Sequence, residues 1–369
     1  MGQRIYLDNN ASTPLDPSVL NLLIHDQSHH FGNPSSTHSF GREAKARLTH
    51  ARDLVAKYLG VRPVEIVFNS GATEGLNALL RGFLQAKPGH VISSDVEHSC
   101  VHTTLKSLNL PTTFLKSGLH GAVTPKAVCE AFQSDTQLVT LMAVNNETGV
   151  RTDLALIAEL CLSRNIPFIV DGVALLGKDK IDLHPGISAM CFSGHKLHAP
   201  KGVGFSFIRS QLKFPSIQTG GIQEHFRRGG TENISAIVAL AEAVNLLHGV
   251  LPEACQRMEA LRDRFERDVM AQLPFVTING AGPRIANTSN LALGDCDGES
   301  LLMKMDMMGL AASHGSACSS GALEPSRVLL NMGIPLKQAR SSIRFSLSRF
   351  TTEEEIARAV EIVVKAAKA

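Results

Sequence analysis

Tryptophan is absent from this sequence, only two tyrosines are present, and no apolar run approaches the ~18 residues of a membrane-spanning helix. Charge of one sign is not in excess either, since 36 Lys and Arg stand against 34 Asp and Glu, which argues against nucleic-acid binding. The first residues show no apolar signal core and no myristoylation pattern. We therefore expect a cytoplasmic protein without a targeting segment, a membrane span or a nucleic-acid partner.

Closely spaced cysteine pairs are missing as well. The seven cysteines are an odd number spread over the chain without a CxxC pair, which disfavours a disulfide framework and a zinc site. Cys318 lies in a run of small and turn-forming residues, 314–321, which predicts a mobile loop with an exposed thiol. We interpret the other six as small buried apolar side chains. These six are Cys100, Cys129, Cys161, Cys191, Cys255 and Cys296.

The residues that are present predict a sizeable core, because the chain has 369 residues and 44% of them are hydrophobic. From about residue 40 to 245, short apolar runs alternate with amphipathic stretches, which is the pattern of a mostly parallel sheet covered by helices. We predict a large α/β domain over residues 15–245. Its strands are predicted at residues 65–68, 90–93, 137–144, 167–170, 188–192 and 203–208.

After residue 245 the pattern predicts a smaller α+β domain, made of residues 246–369 together with 1–14. Thr352 and Glu355 have the spacing of a capping box, which marks the start of the last helix. The other elements predicted there are a charged helix over 258–273 and weaker strands near 276, 289–293 and 343–347.

Three features at predicted strand ends carry candidate chemistry. The first is the small-residue turn 69–75, where free backbone N–H groups and the helix dipole form an anion site. Ordinary helix capping is the alternative interpretation. The second is Asp171, which ends a run of apolar residues, and in a parallel sheet such ends line the ligand crevice. A turn-capping Asp is the alternative there.

The third feature is Lys196, which follows a predicted buried strand and lies among small residues beside His195. Such surroundings lower the pKa of an amine and suit a lysine that forms a Schiff base, while a solvated turn lysine is the alternative. An anion cradle, an acid and a buried lysine at the strand ends of one domain are the parts of a pyridoxal phosphate site. The cradle holds the phosphate, Asp171 keeps the pyridine nitrogen protonated, and Lys196 binds the aldehyde.

Nine motifs support a family resemblance over nearly the whole chain. They are YLDNNAST (6–13), FGNPSSTHSFG (31–41), SGATEGLN (70–77), EHS (97–99), VNNETG (144–149), SGHK (193–196), RRGGTEN (227–233), GSACSSGALEPS (315–326) and SSIRFSLSRFTTEEEI (341–356). In these motifs the sequence resembles the cysteine desulfurases of iron–sulfur cluster assembly, in the class V aminotransferase group of pyridoxal-phosphate enzymes. The resemblance implies the fold type I transferase architecture, with a large, mostly parallel seven-stranded α/β/α domain and a small α+β domain.

The resemblance also implies roles for individual residues. Lys196 would carry the cofactor, Asp171 would pair with the pyridine nitrogen, and His98 would stack on the ring and relay protons. Thr231 would reach the phosphate from the neighbouring subunit, which makes a homodimer part of the site. The other residues implied to bind the cofactor are Ala72, Thr73, Asn146, Ser193 and His195.

Substrate binding is implied for Asn146 and Arg344, with Arg344 as the bidentate partner of the α-carboxylate of L-cysteine. Arg349 is the rival for that role. The apolar neighbours Ile343 and Phe345 favour Arg344, because they indicate a strand from which it projects.

The reaction implied is the conversion of L-cysteine to L-alanine. Lys196 would remove the Cα proton, and the Cys318 thiolate would take the substrate sulfur as a persulfide. His314 and His98 are the candidate bases for the Cys318 thiol. A Gly- and Ser-rich loop suits delivery of sulfur to an acceptor or scaffold protein, for iron–sulfur cluster assembly or tRNA thiolation.

Two positions depart from the family. Where the family has a Gln that hydrogen-bonds the cofactor's phenolic oxygen, three residues after the acid, this chain has Ala174. We expect a slower enzyme with an altered titration of cofactor absorbance, unless Asn146 or a water compensates. The sequence also ends at Ala369, where family members often continue into a tail that helps to dock the scaffold protein, so the partner stays open.

Two competing functions remain at this point. The first is a selenocysteine lyase, or an aminotransferase or decarboxylase on the same fold, and Cys318 argues against a plain aminotransferase because that reaction needs no loop thiol. The second is a catalytically weak sulfur carrier or scaffold, which only Ala174 favours. What favours the enzyme is the joint presence of Lys196, Asp171, His98, Arg344 and Cys318.

Overall fold

The computed structural model of the chain describes residues 4–315 and 325–368. Cys318 therefore lies outside the described residues. The helices are α1 (Pro17–His29), α2 (Ser39–Leu59), α3 (Ala72–Ala86), α4 (Ser99–Leu108), α5 (Pro125–Ala131), α6 (Leu154–Ser163), α7 (Gln223–Phe226), α8 (Ile234–Gln272), α9 (Gly298–Met307), α10 (Arg327–Asn331), α11 (Leu336–Arg340) and α12 (Glu353–Lys368). The strands are β1 (Ile5–Tyr6), β2 (Ile66–Asn69), β3 (His90–Ser94), β4 (Thr112–Leu115), β5 (Thr136–Met142), β6 (Phe168–Asp171), β7 (Ala189–Ser193), β8 (Gly204–Ile208), β9 (Thr277–Ile278), β10 (Thr288–Ala292), β11 (Leu310–Ala311) and β12 (Ser342–Ser346).

A seven-stranded sheet forms the centre of the molecule, with the strand order β2-β8-β7-β6-β5-β3-β4. Five of these strands, β3 to β7, run parallel, and β8 is antiparallel to both of its neighbours. Consecutive residues of β6 enter different apolar clusters, since Phe168 and Val170 pack on one face and Ile169 on the other. Burial on both faces explains why this strand is a continuous apolar run.

A second, smaller sheet has the antiparallel order β12-β10-β9, and β1 pairs with β11 beside it. Ile5 and Leu7 pack into the same apolar cluster as Phe265 of α8 and Phe345 of β12. At the start of α12, the backbone N–H of Thr352 donates to the Glu355 carboxylate at 3.0 Å and the Glu355 N–H donates to the Thr352 hydroxyl at 3.2 Å. The predicted capping box is thus confirmed.

The strand prediction for the large domain is confirmed for six strands, whose ends differ from the predicted ones by two residues at most. The edge strand β4 was not predicted, because its four residues are all half-buried and show no alternation of apolar and polar side chains. The predicted domain boundary at residue 245 falls inside helix α8, which is continuous there. No break in the secondary structure marks this boundary, and it stays a prediction. By length and composition α8 could cross a bilayer, but 61% of its most apolar stretch is buried in the protein, as in a core helix.

Candidate active site

A cavity of about 180 Å³ lies where the carboxyl ends of three parallel strands meet. The last residues of β5, β6 and β7, which are Met142, Asp171 and Ser193, all line it. Carboxyl ends of parallel strands share one edge of the sheet, and ligand sites form there. The sequence predicted a ligand site at the carboxyl ends of these strands, and the cavity lies at that edge of the sheet.

Most of the site residues predicted from the sequence come together in this cavity. Thr231 does not line it and is exposed on the segment before α8, while Cys318 lies outside the described residues. Ala174 lines the cavity at the position of the family Gln. The predicted residues that line it are Ala72, Thr73, His98, Asn146, Asp171, Ser193, His195, Lys196 and Arg344.

The turn before α3 forms one end of the cavity. Gly71 has a φ of 147°, which favours glycine, and the helix begins at Ala72, whose N–H donates to the Ser193 hydroxyl at 2.9 Å. The first N–H groups of a helix have no partners within the helix and attract anions. Burial, together with the charge of Lys196, lowers the pKa of His195 to about 4, so this side chain is neutral at pH 7.

Asp171, which is buried, and Lys196, which is half-buried, also line the cavity. Burial raises the pKa of Asp171, and the hydrogen bond from the Val173 N–H and the charge of Lys196 oppose that effect, so a cationic ligand atom beside this carboxylate would favour its ionised form. The Lys196 ammonium donates to the backbone carbonyls of Asn10 and Ala11, the latter at 2.8 Å. The loop that follows β1 therefore holds the lysine at the mouth of the anion cradle.

His98 is fixed in one tautomer by the start of α4. It is the N-cap residue of that helix, and its Nδ1 accepts the N–H of Cys100 at 3.2 Å. An Nδ1 that accepts cannot carry the proton of the neutral ring, so the proton is on Nε2. Burial lowers the pKa of His98, which keeps the ring neutral. In this state His98 offers a hydrogen-bond donor at Nε2, and it is not a base there.

His314 has the opposite tautomer. Its Nδ1 lies 2.8 Å from the carbonyl oxygen of Ser342, and a carbonyl only accepts, so Nδ1 carries the proton and Nε2 keeps its lone pair. Of the two bases predicted for the Cys318 thiol, the geometry favours His314. The distance to Cys318 is not defined, because that residue lies outside the described ones.

Arg344 projects from β12 into the cavity and is 1% exposed. Its guanidinium forms an ion pair with Asp8 at 2.8 Å and donates to the carbonyl of Asn146 at 3.0 Å. Its Nε is buried without an acceptor among the described residues. A guanidinium has five N–H donors and these two bonds use two of them, so donors remain for a ligand. Arg349 is instead bound to Asp16 and does not line the cavity.

The interpretation of six cysteines as buried apolar side chains is wrong for four of them. Two of the six, Cys161 and Cys191, are buried. The other four are half-buried, namely Cys100, Cys129, Cys255 and Cys296. Cys100 lines the cavity, with its sulfur 3.0 Å from Nδ1 of His98. Burial raises the pKa of the Cys100 thiol, so it stays protonated and is no nucleophile at neutral pH.

Replacing Glu97 by Gln is expected to change how stability depends on pH. One carboxylate oxygen accepts from the Ser94 hydroxyl at 2.6 Å, while the other is buried without a partner among the described residues. Burial raises the pKa of Glu97 to about 8, so the folded protein holds a proton that the unfolded chain loses above ~4.3. This group therefore makes the native state less stable as pH rises towards 8.

The Glu97→Gln variant lacks this penalty. Relative to wild type, its free energy of unfolding should increase between about pH 5 and pH 8, by up to ~1.4 kcal/mol per pH unit. Urea denaturation at a series of pH values measures this difference. A difference that stays constant with pH contradicts a protonated Glu97.

Comparisons with known proteins agree with the fold. The family model Aminotransferase class-V matches residues 5–359. A cysteine desulfurase of Nostoc sp. is 40% identical over 97% of this chain and 92% of its own length. A solved NifS-like protein superposes with a TM-score of 0.91 at 31% identity, over 98% of this chain and 99% of its own. The structure of SspA in complex with cysteine gives a TM-score of 0.84 at 30% identity, over 94% and 100%.

The fold is thus that of a class-V aminotransferase, and this chain belongs to that family, among its cysteine desulfurases. The resemblance stated from the motifs is confirmed. The predicted fold class, with its mostly parallel seven-stranded sheet, is also confirmed.

Proposed function

We propose that this protein is a pyridoxal-phosphate-dependent cysteine desulfurase, which converts L-cysteine to L-alanine and passes the sulfur through a persulfide on Cys318. The observation that carries the proposal is the cavity, in which an anion cradle, a buried carboxylate, a lysine and a buried arginine converge. The relative solved with cysteine supports the choice of substrate.

The side chains of the cavity fit pyridoxal phosphate. The start of α3 with Thr73 and Ser193 suits the phosphate, Asp171 suits the pyridine nitrogen, and Lys196 suits the aldehyde. When bound, this cofactor supplies an electron-withdrawing ring that makes the Cα–H bond of an amino acid acidic. A neutral His195 beside the cradle can donate a hydrogen bond without adding charge.

Arg344 would orient the substrate by binding its α-carboxylate. The guanidinium is already held by Asp8 and by the carbonyl of Asn146, so little side-chain entropy is lost when substrate binds. The two hydrogen bonds leave other N–H donors of the guanidinium for the carboxylate. Lys196 is the amine placed to take the Cα proton and return a proton to the product.

The sulfur transfer is a displacement at the sulfur of the substrate. His314 takes the proton of Cys318, the thiolate forms an S–S bond with the substrate sulfur, and the Cβ–S bond breaks with its electron pair left on carbon. Protonation of that carbon gives alanine, and the sulfur stays on Cys318 as a persulfide. His98, with its proton on Nε2, is a candidate donor for one of these proton transfers.

A homodimer and a sulfur acceptor complete the proposal. Thr231 is exposed within a single chain, which suits a residue that reaches the phosphate of a neighbouring subunit. A persulfide on the protein serves delivery to an acceptor protein, and iron–sulfur cluster assembly or tRNA thiolation is the proposed destination.

Replacing Ala174 by Gln is expected to raise turnover or to shift the pH at which cofactor absorbance titrates. Ala174 lines the cavity and ends at Cβ, so an added amide can donate to the cofactor's ring oxygen. One hydrogen bond to a charged oxygen is worth ~1.5–3 kcal/mol. Steady-state kinetics and an absorbance titration measure the two effects. If neither changes, Ala174 is not what limits this enzyme.

Incubation of the purified protein with L-cysteine tests the function. We expect alanine to form in multiple turnovers only when a reductant or an acceptor removes the persulfide, and one equivalent at most without it. Selenocysteine in parallel tests the lyase alternative. A protein that binds cofactor but forms no alanine from L-cysteine contradicts the proposal.

A further inference from the structure

Lys178 is a buried amine in the cavity that the reaction above does not use. It is 5% exposed and lines the same cavity as Asp171 and Lys196. Its ammonium donates to the backbone carbonyl of Lys196 at 3.0 Å, and it forms no ion pair with any residue that the structure describes. An ammonium has three N–H donors, and leaving buried donors without acceptors is costly.

The backbone brings Lys178 back to the cavity. After β6 the chain turns at Gly177, which has a φ of 79°, and the Lys178 N–H donates to the carbonyl of Leu175 at 3.0 Å. From α8, the Cys255 thiol donates to the Lys178 carbonyl, also at 3.0 Å. Lys180, two residues further on, is exposed. The turn thus directs one lysine inward and the next one outward.

The surroundings of Lys178 favour a ligand that accepts hydrogen bonds. Burial, together with the charge of Lys196, lowers its pKa to about 7. Ala174, on the same wall of the cavity, has no polar atom in its side chain that could satisfy the amine. A negatively charged or acceptor atom of a bound molecule would remove this penalty.

The chemistry of the cofactor indicates which atom that is, given the function proposed above. In pyridoxal phosphate the ring hydroxyl is next to the aldehyde carbon, on the flank away from the phosphate arm. The phosphate arm would lie at the cradle and the aldehyde at Lys196. Lys178 is hydrogen-bonded to the backbone of Lys196, and it is not among the residues that line the open cleft at the cradle. We propose that Lys178 is a cofactor-binding residue that donates a hydrogen bond to the ring hydroxyl oxygen.

The assignment is tested by measuring how tightly the cofactor binds to protein from which it has first been removed. Lys178→Met is the variant, and Lys180→Met is the matched control. Each protein is titrated with pyridoxal phosphate and with 3-deoxypyridoxal phosphate, which lacks the ring hydroxyl. We expect Lys178→Met to weaken pyridoxal phosphate binding by roughly tenfold or more and to leave the affinity for the deoxy analogue nearly unchanged. Lys180→Met should bind both compounds as wild type does.

If Lys178→Met loses the same affinity for both compounds, the assignment is overturned, because the substitution then has a general effect on the cavity. An unchanged affinity for both compounds also overturns it. If Lys178→Met does not fold, Lys178→Gln replaces it, with a smaller loss that must again depend on the hydroxyl. Failure of the wild-type apoprotein to bind pyridoxal phosphate is a different result, because it contradicts the proposed function itself.

Discussion

Replacing Cys318 by Ser is expected to abolish alanine formation from L-cysteine while cofactor absorbance stays intact. A serine hydroxyl is not ionised at neutral pH and is a poor nucleophile towards sulfur, so the step that breaks the Cβ–S bond is lost. Turnover should fall by roughly a thousandfold or more. Alanine quantification under reducing conditions, together with an absorbance spectrum, measures both parts of this result.

Cys129→Ser is the matched control, because Cys129 is half-buried and does not line the cavity. It should retain the turnover of wild type. Cys100→Ser is a second informative variant, since the Cys100 thiol is in the cavity but protonated at neutral pH. Full turnover in Cys318→Ser contradicts the persulfide route, and loss only in Cys100→Ser would move the nucleophile to that residue.

Lys196→Ala has the second of the two largest expected effects. In the proposed mechanism this variant lacks both the amine that would tether the cofactor and the base that would take the Cα proton, so turnover should fall by roughly a thousandfold or more. Cofactor should remain bound only reversibly, through the cradle and Asp171, and should be removed by gel filtration. The absorbance of the filtered protein and its alanine formation measure these outcomes.

Lys180→Ala serves as the control for Lys196→Ala, because Lys180 is exposed and outside the cavity. The hydrogen bonds of Lys196 to Asn10 and Ala11 are lost as well, so thermal unfolding of both variants should be compared. A Lys196→Ala protein that keeps its covalent cofactor band shows that another amine carries it, and Lys178 is then the residue to replace.

The sequence predicts the central sheet well where burial is extreme. The β6 run of consecutive apolar residues is recognisable because both of its faces are covered, and the end of that run places Asp171. The edge strand β4 has four half-buried residues and gives no such pattern. Helix α8 was predicted only over its second half, since its first half is apolar on most sides and Pro252 interrupts the pattern.

Contacts between distant parts of the chain limit what the sequence predicts about the site. Residues at the carboxyl ends of strands could be placed together because parallel strands share an edge. The carbonyls of Asn10 and Ala11 that hold Lys196, and the Asp8 carboxylate that holds Arg344, come from a loop more than 180 residues away from either partner. No local sequence pattern predicts such contacts. The same holds for the direction of the Lys178 side chain, which points into the cavity.

The tautomers of the two histidines are also properties of the folded chain. A His that precedes a helix is a weak signal by itself, and only the hydrogen bond from the Cys100 N–H fixes the proton of His98. His314 is fixed in turn by the carbonyl of Ser342 on β12. Both residues were predicted as candidate bases, and the structure places the proton of His98 on Nε2 and that of His314 on Nδ1.

Mass spectrometry of the protein after a single turnover tests the central claim most directly. The holoenzyme is mixed with a limiting amount of L-cysteine without reductant, alkylated, digested and analysed, and alanine is measured in the same sample. The account predicts that the peptide carrying Cys318 gains one sulfur atom in proportion to the alanine formed. Alanine accompanied by free sulfide, with Cys318 unmodified, would contradict it.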